Sequence, residues 1–258
     1  EKTAEFERGI LKTNHKDAKT TEANGTMVTF IPDDTIFKNF KYQYEFLENL
    51  LWNYCFLNAG LRIIFNGKTY LSRNGLLDLL QRKTNEDEIR YPIIHLKGDD
   101  IEVSITHSNG YGEEIYSFVN GQHTTQGGTH QQAFREAFVK TIRDFYKKDY
   151  EVSDIRTAIV AAIAVRVVEP VFESQTKTKL GSQNVDVDGP SMRQFVGDFL
   201  SRELDNYLHK NSSVADALKK RIEQSERERR DLAGIKKLAN ERAKKANLHN
   251  KKLRDCRY

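Results

Sequence analysis

The stretch that most constrains this chain is residues 155–168, its most hydrophobic run, closed by Glu169-Pro170. Its pattern predicts a buried strand. The proline ends the ladder, because it has no N–H to donate and holds φ at about −65°. The next ten residues, Val171-Phe172-Glu173-Ser174-Gln175-Thr176-Lys177-Thr178-Lys179-Leu180, make a polar loop at the mouth of that strand. Such a loop is held at its base and free to reach a ligand at its tip. Lysine is a long-armed point charge suited to a phosphate, and a glutamine amide can donate beside it. Taken alone, the same residues are better described as a solvated turn.

Upstream, residues 1–24 are polar and predict a weakly ordered lead-in, such as a hairpin arm crossing from a preceding domain. Residues 27–31 predict a short strand closed by Pro32-Asp33-Asp34. A helix is expected over about 41–54, with Tyr44, Leu47, Leu50, Leu51 and Tyr54 on its apolar face and Trp52 and Phe56 as packing residues. Asn66-Gly67, between apolar segments, predicts a two-residue hairpin. A short helix is expected at 75–81, then strands at 93–97 and 101–107 around Gly98-Asp99-Asp100, with His107 a satisfied sheet residue. A further strand at 113–120 leads through a loop to a helix over 129–146, with Phe134, Ala137, Phe138, Ile142 and Phe145 at helical spacing. Thr125-Gln126-Gly127-Gly128-Thr129-His130 therefore opens a helix. A helix start can cradle an anion. The packing alternative is favoured: the glycines permit positive φ, Thr129 caps the helix, His130 is a buried hydrogen-bonder, and no P-loop lysine is present.

After residues 185–190, Met192, Phe195, Val196, Phe199, Leu200, Leu204, Tyr207 and Leu208 make the stripe of a second long helix. Strands with two long amphipathic helices predict an α+β body in two layers. From Ser212 the pattern thins to an extended helix broken near Gly234, then a mostly basic segment from 236 to 258. The net charge of +4 hides this asymmetry: residues 215–258 hold 15 Lys and Arg against 7 Asp and Glu. That describes a mildly acidic body with a basic tail. Cys55 and Cys256 form neither a disulfide framework nor a metal motif, as expected in a reducing cytosol, so a cytoplasmic location is expected and no metal site. No apolar run reaches the ~18 residues needed to span a bilayer. The chain begins without Met, which fits a piece of a longer polypeptide.

Several motifs together resemble one family. Ser174-Gln175-Thr176-Lys177-Thr178-Lys179-Leu180, Phe118-Val119-Asn120 with Thr125-Gln126-Gly127-Gly128-Thr129-His130, Asp154-Ile155-Arg156, and Gly25-Thr26-Met27-Val28-Thr29-Phe30 resemble, in order and spacing, the B subunit of bacterial type IIA topoisomerases (gyrase or topoisomerase IV). The match runs over roughly residues 25–210. At the C-terminus Asn250-Lys251-Lys252-Leu253-Arg254-Asp255-Cys256 keeps only the Lys-Leu and Asp-Cys of the family's P-G-K-L-A-D-C.

The resemblance implies a ribosomal-protein-S5-domain-2-like two-layer sandwich with a left-handed βαβ crossover, followed by a long basic helical arm. It divides the chain into a lead-in arm (1–24) from an ATP-binding domain, a transducer domain (25–211) and a basic helical segment (212–258) leading towards a Toprim domain. ATP with Mg2+ would be bound mostly outside this chain, with Lys177 reaching its γ-phosphate as transition-state stabiliser and sensor and Gln175 adding a second contact. Lys179 is the competitor for that role. The implied partners are double-stranded DNA without sequence preference, a DNA-cleaving A-type subunit and a second B subunit. Lys219, Lys220, Arg221, Arg227, Arg229 and Arg230 are candidate DNA contacts; the alternative for them is a solvated helix with i,i+4 pairs such as Glu223 with Arg227. The sequence carries no ATP-site Asn helix with Asp-x-Gly, no acidic Toprim cluster and no cleavage tyrosine, so the chain alone is expected to be inactive. The competing readings are an S5-like nucleic-acid-binding module with a basic arm that senses no nucleotide, and a mismatch-repair or chaperone relative of the same layout.

Overall fold

The structure, a computed structural model, describes residues 1–248. The chain divides into two units, Glu1–Glu48 and the remainder from Asn49.

In the first unit, β1 (Ala4–Glu7) and β2 (Ile10–Asn14) pair antiparallel as the hairpin expected of a lead-in arm. Arg8 and Gly9 turn it with φ of 51° and 79°. The strand expected at 27–31 does not form. Met27 and Ile31 are each 92% exposed, and the segment pairs with no strand among the described residues. A short β-prone segment gains nothing from extension without a neighbouring ladder.

Helix α1 (Tyr44–Leu57) runs on from this unit into the second. Its expected apolar face is not the one that packs. Tyr44, Leu50 and Tyr54 are exposed, while Cys55 and Phe56 in the last turn are buried. Trp52 stacks on Phe56 at 5.4 Å and meets Tyr70 edge-on at 5.3 Å. Next, β3 (Arg62–Phe65) and β4 (Lys68–Leu71) form the hairpin that Asn66-Gly67 announced; both turn residues have positive φ, 50° and 77°. Helix α2 (Leu76–Lys83) follows.

The main sheet contains β5 (Ile94–Lys97), β6 (Ile101–His107), β7 (Glu114–Val119), β8 (Gln122–His123) and β9 (Ile159–Val165), in the order β5-β6-β9-β7-β8. The central strand β9 is antiparallel to β6 and parallel to β7. Between β7 and β9 the chain passes through β8, the long α3 (Thr129–Tyr146) and the short α4 (Val152–Arg156). Two helices, α5 (Met192–Lys210) and α6 (Ser212–Leu248), complete the fold.

The expected two-layer body gains a third layer. Ala161, Ile163 and Val165 of β9 face a core shared with Phe134, Phe138 and Ile142 of α3 and Val196, Leu200 and Leu204 of α5. Val160 and Ala162 face the other way, against Leu76, Leu79 and Leu80 of α2 and Phe56 of α1. A strand buried on both faces must be apolar throughout, which is why residues 155–168 are so hydrophobic. The strand is nevertheless shorter than that run. Ile155 lies in α4, fully buried, and Ala158 turns the chain at φ 64° before β9 begins.

The break expected at Gly234 is absent: α6 continues through it. A single glycine costs a helix only ~1 kcal/mol, and Ala233, Lys236, Lys237, Leu238 and Ala239 around it are good helix formers. The segment 250–256 lies outside the described residues.

Candidate functional site

Two of the family motifs, residues 118–130 and residues 174–180, meet beyond one end of β9, whereas Asp154-Ile155-Arg156 lies before its other end. As β7 ends, Asn120 adopts φ 49° and its side chain behaves like a strand neighbour. Its Nδ2 donates to Val167 O at 2.7 Å and its Oδ1 accepts from Val167 N at 2.8 Å. This holds the exit of β9 just before the Gln-Thr-Lys loop.

Residues 125–130 seat the loop itself. Gln126 N donates to Thr178 O at 2.9 Å, Leu180 N to Gly127 O at 3.1 Å, and Thr129 N to Leu180 O at 3.2 Å. Gly128 and Leu180 form a parallel bridge so close that a Cβ on Gly128 would stand 2.4 Å from Leu180 O and 2.5 Å from its N. Thr129 does not cap α3 as expected. Gly128 occupies that position with no side-chain cap, and Thr129 Oγ1 instead donates to Ser182 O at 2.6 Å, fastening the far side of the loop. The N–H groups of Gly127 and Thr129 are thus bonded to protein carbonyls rather than presented as an anion cradle. The packing alternative for this motif holds.

His130 is fully buried, and its Nε2 lies 3.1 Å from Thr124 Oγ1. Since Thr124 Oγ1 donates to Ser117 O, the imidazole is the donor to Thr124. His107 is also buried: its Nε2 donates to Ile155 O at 2.9 Å, so Nδ1 accepts from the Tyr91 hydroxyl at 2.5 Å. Burial pushes both imidazoles down from 6.5 to about 4, and for His107 the Arg221 cation adds to this. Between those values the unfolded chain binds protons that the folded chain refuses, so stability is full above pH ~6.5 and falls as pH drops towards ~4. Thermal unfolding is therefore expected at a lower midpoint at pH 5 than at pH 7.5, with each histidine responsible for roughly 2–3 kcal/mol at most. His107→Gln would flatten that pH dependence. An unchanged midpoint across this range would contradict the burial of both rings in neutral form.

Within the loop, Phe172 and Leu180 pair across its neck, and Glu173 N donates to Lys179 O at 3.0 Å. Ser174 O accepts from Lys177 N at 3.0 Å, closing a tight turn at the tip. There Lys177 is held at φ 56°, an uncommon conformation for a lysine. The two candidate lysines differ. Lys179 is half-buried and paired with Glu173 at 2.9 Å. Lys177 is exposed, lies 5.9 Å from the Phe172 ring centroid, and has no carboxylate partner among the described residues. Gln175 is exposed beside it. No cluster of carboxylates, histidines or cysteines able to hold a metal occurs among the described residues.

The six candidate DNA-contact residues on α6 do not form one surface. Arg221 is 3% exposed, donating to Ser225 Oγ and Gly110 O. Arg229 grips Asp154 through two bonds of 2.8 Å, and Arg230 pairs with Glu226 at 2.5 Å. Lys219, Lys220 and Arg227 are exposed. The helical period could have marked Arg221, which continues the buried stripe of Val214, Leu218 and Ile222. The sequence does not mark Asp154 as an ion-pair partner of Arg229, because the two lie 75 residues apart.

The fold is of the mixed α/β kind found in the ATPase regions of type II topoisomerases. The 43K ATPase domain of Thermus thermophilus gyrase B, solved with an aminocoumarin, superposes with a TM-score of 0.65 at 23% identity, over 80% of this chain and 59% of that one. In sequence, the B subunit of DNA topoisomerase 4 from Borreliella burgdorferi is 38% identical over 98% of this chain. The B subunit of DNA gyrase from Cytophaga aurantiaca is 34% identical over 84% of it. A family model, DNA gyrase B, matches residues 75–251. The chain belongs to this family, the B subunits of bacterial type IIA topoisomerases. It spans 41% and 50% of the length of those two relatives. No described helix is long and apolar enough to cross a membrane.

Proposed function

We propose that the chain is the transducer part of an ATP-dependent type II topoisomerase B subunit, in which Lys177 senses the terminal phosphate of a nucleotide held by a neighbouring domain. The observation that carries this reading is the contrast at the loop tip: an unpaired, exposed Lys177 on a firmly seated loop, beside a Lys179 already neutralised by Glu173. In the full subunit ATP and Mg2+ supply the phosphoryl chemistry. Lys177 places a positive charge beside the terminal phosphate, and Gln175 adds an amide donor. Lys177 is attracted only while that phosphate is attached, so the loop is held in one nucleotide state and released in the other.

The fold within this reading is S5-like, with the β7-to-β9 connection as its left-handed crossover. Within this reading residues 1–24 are the lead-in arm from the preceding ATP-binding domain and residues 25–211 the transducer. Helix α6 is the arm leading towards the Toprim domain, and the assembly contains a second B subunit and a DNA-cleaving A subunit. The test is ATP turnover of the full-length subunit with Lys177→Ala, compared with Lys179→Ala.

For DNA, the candidates reduce to Lys219, Lys220 and Arg227, which would touch the backbone of a transported duplex without reading sequence. Changing all three to Gln is expected to weaken duplex binding equally for all sequences. The slope of log affinity against log salt should fall by about 0.9 per lost phosphate contact. An unchanged slope would remove α6 from the DNA path and favour its being a solvated face.

A further inference from the structure

We propose that Asp154 is a positioning residue, whose ion pair with Arg229 fixes the direction of α6 relative to β9, the strand that carries the Gln-Thr-Lys loop. Its mechanistic meaning rests on the transducer reading above.

Asp154 is 2% exposed, yet both carboxylate oxygens are satisfied: Arg229 Nε donates to Oδ1 and Nη2 to Oδ2, each at 2.8 Å. A two-pronged pair fixes the plane of the guanidinium as well as its distance, so it constrains the angle of the helix bearing it. Its place along α6 matters. Val214, Leu218, Ile222 and Ser225 are buried against the body, whereas Leu232, Ile235 and Leu238 are exposed. Among the described residues Arg229 is thus the last of α6 to grip the body before the helix runs on to Leu248, about 28 Å further at ~1.5 Å per residue. Glu226, one turn earlier, adds a bond to Lys148 at 3.2 Å.

The other side of the pair leads to the loop. Asp154 lies in α4, which ends at Arg156, and β9 begins at Ile159. At its far end β9 passes to Val167, clamped by Asn120, and on into the Gln-Thr-Lys loop. The Asp154–Arg229 pair and Lys177 are therefore attached to opposite ends of one seven-residue strand. That strand is hydrogen-bonded along both edges, so it moves with the sheet rather than by itself. The residues of Asp154-Ile155-Arg156 take separate duties: Asp154 grips α6, Ile155 fills the core, and Arg156 pairs with Glu113. A displacement imposed at the loop is carried by β9 to α4 and on to the packed α6, whose direction beyond the body this bidentate pair sets.

The experiment compares wild type, Asp154→Asn, Arg229→Lys and Arg229→Gln in the full-length subunit assembled with its DNA-cleaving partner. Three quantities are read: DNA-free ATP hydrolysis, duplexes passed per ATP, and the distance distribution between spin labels at Ser201 and Asn240. We expect Asp154→Asn and Arg229→Gln to broaden the distribution and lower passage per ATP at least ten-fold, with DNA-free hydrolysis within two-fold of wild type. Arg229→Lys, which keeps the charge but loses the fork, should fall between. An unchanged distance distribution overturns the proposal, as does passage that falls only in proportion to hydrolysis, the mark of general destabilisation. The transducer reading fails by a different result, normal hydrolysis in Lys177→Ala, and the spin-label distances do not depend on it.

Discussion

Gly128→Ala is expected to unseat the Gln-Thr-Lys loop, although it changes neither a charge nor a loop residue. Gly128 has φ 135°, where a side chain is strained, and the added methyl would stand 2.4 Å from Leu180 O and 2.8 Å from Leu180 Cα. Those atoms are backbone and cannot swing aside. To make room, the Gly128–Leu180 bridge must open, taking with it the bonds from Leu180 N to Gly127 O and from Thr129 N to Leu180 O. Overpacking costs about 1–3 kcal/mol and the φ strain about 1–2 more, so a loss of roughly 2–5 kcal/mol is expected in denaturant unfolding. Trypsin should cut at Lys177 and Lys179 much faster than in wild type, because a protease needs the loop extended and free. Gly127→Ala is the control. Its methyl would meet the end of the Gln131 side chain, which can swing aside at the cost of its long bonds to Ile115 O and Arg135. That cost and the strain at φ 73° remain, but no backbone clash. If Gly128→Ala unfolds like wild type and its loop resists trypsin, the two motifs do not hold each other in place.

How far this was legible depends on whether the signal is local. Asn66-Gly67 dictates its own turn, and Phe134, Phe138 and Ile142 mark a helix face by their spacing, so these elements appear where the sequence placed them. Most of the apolar run 155–168 is buried as read, although Val168 is exposed. Its division into α4, a turn at Ala158 and β9 was not legible, because apolar residues serve a buried helix as well as a buried strand. The failed strand at 27–31 is the converse case: propensity was present, but the neighbour that would reward it is not among the described residues.

The candidate site was legible as separate words but not as an assembly. Glycines near a helix start suggested either an anion cradle or close packing, and only Leu180 decides between them. The hydroxyl of Thr129, an obvious cap by type, is claimed by Ser182 at a separation of 53 residues. Likewise, a basic count cannot distinguish Lys219 in solvent from Arg221 in the core or Arg229 in an ion pair. Long-range contacts set these roles, and no period in the sequence records them.

The second large effect is expected at Lys177, in the full-length subunit. Two unit charges ~4 Å apart are worth about 4 kcal/mol at an effective dielectric near 20, and exposure at the loop tip reduces this. A rise of about 1.4 kcal/mol or more in the barrier, a ten-fold or greater fall in turnover, is therefore expected for Lys177→Ala with nucleotide still bound. Two comparisons separate charge from shape. Lys177→Gly removes the charge while suiting the φ of 56°, so it relieves backbone strain; turnover should be as low as for Ala. Lys179→Ala removes a lysine whose charge is already matched by Glu173, and turnover should remain near wild type. If Gly restores activity that Ala lost, the tip matters for its turn and not for its cation. If instead Lys179→Ala is the damaging change, Glu173 must release its partner on nucleotide binding, and the sensing lysine is the paired one. Normal hydrolysis in both variants would leave the loop a structural element and α6 the better guide to function.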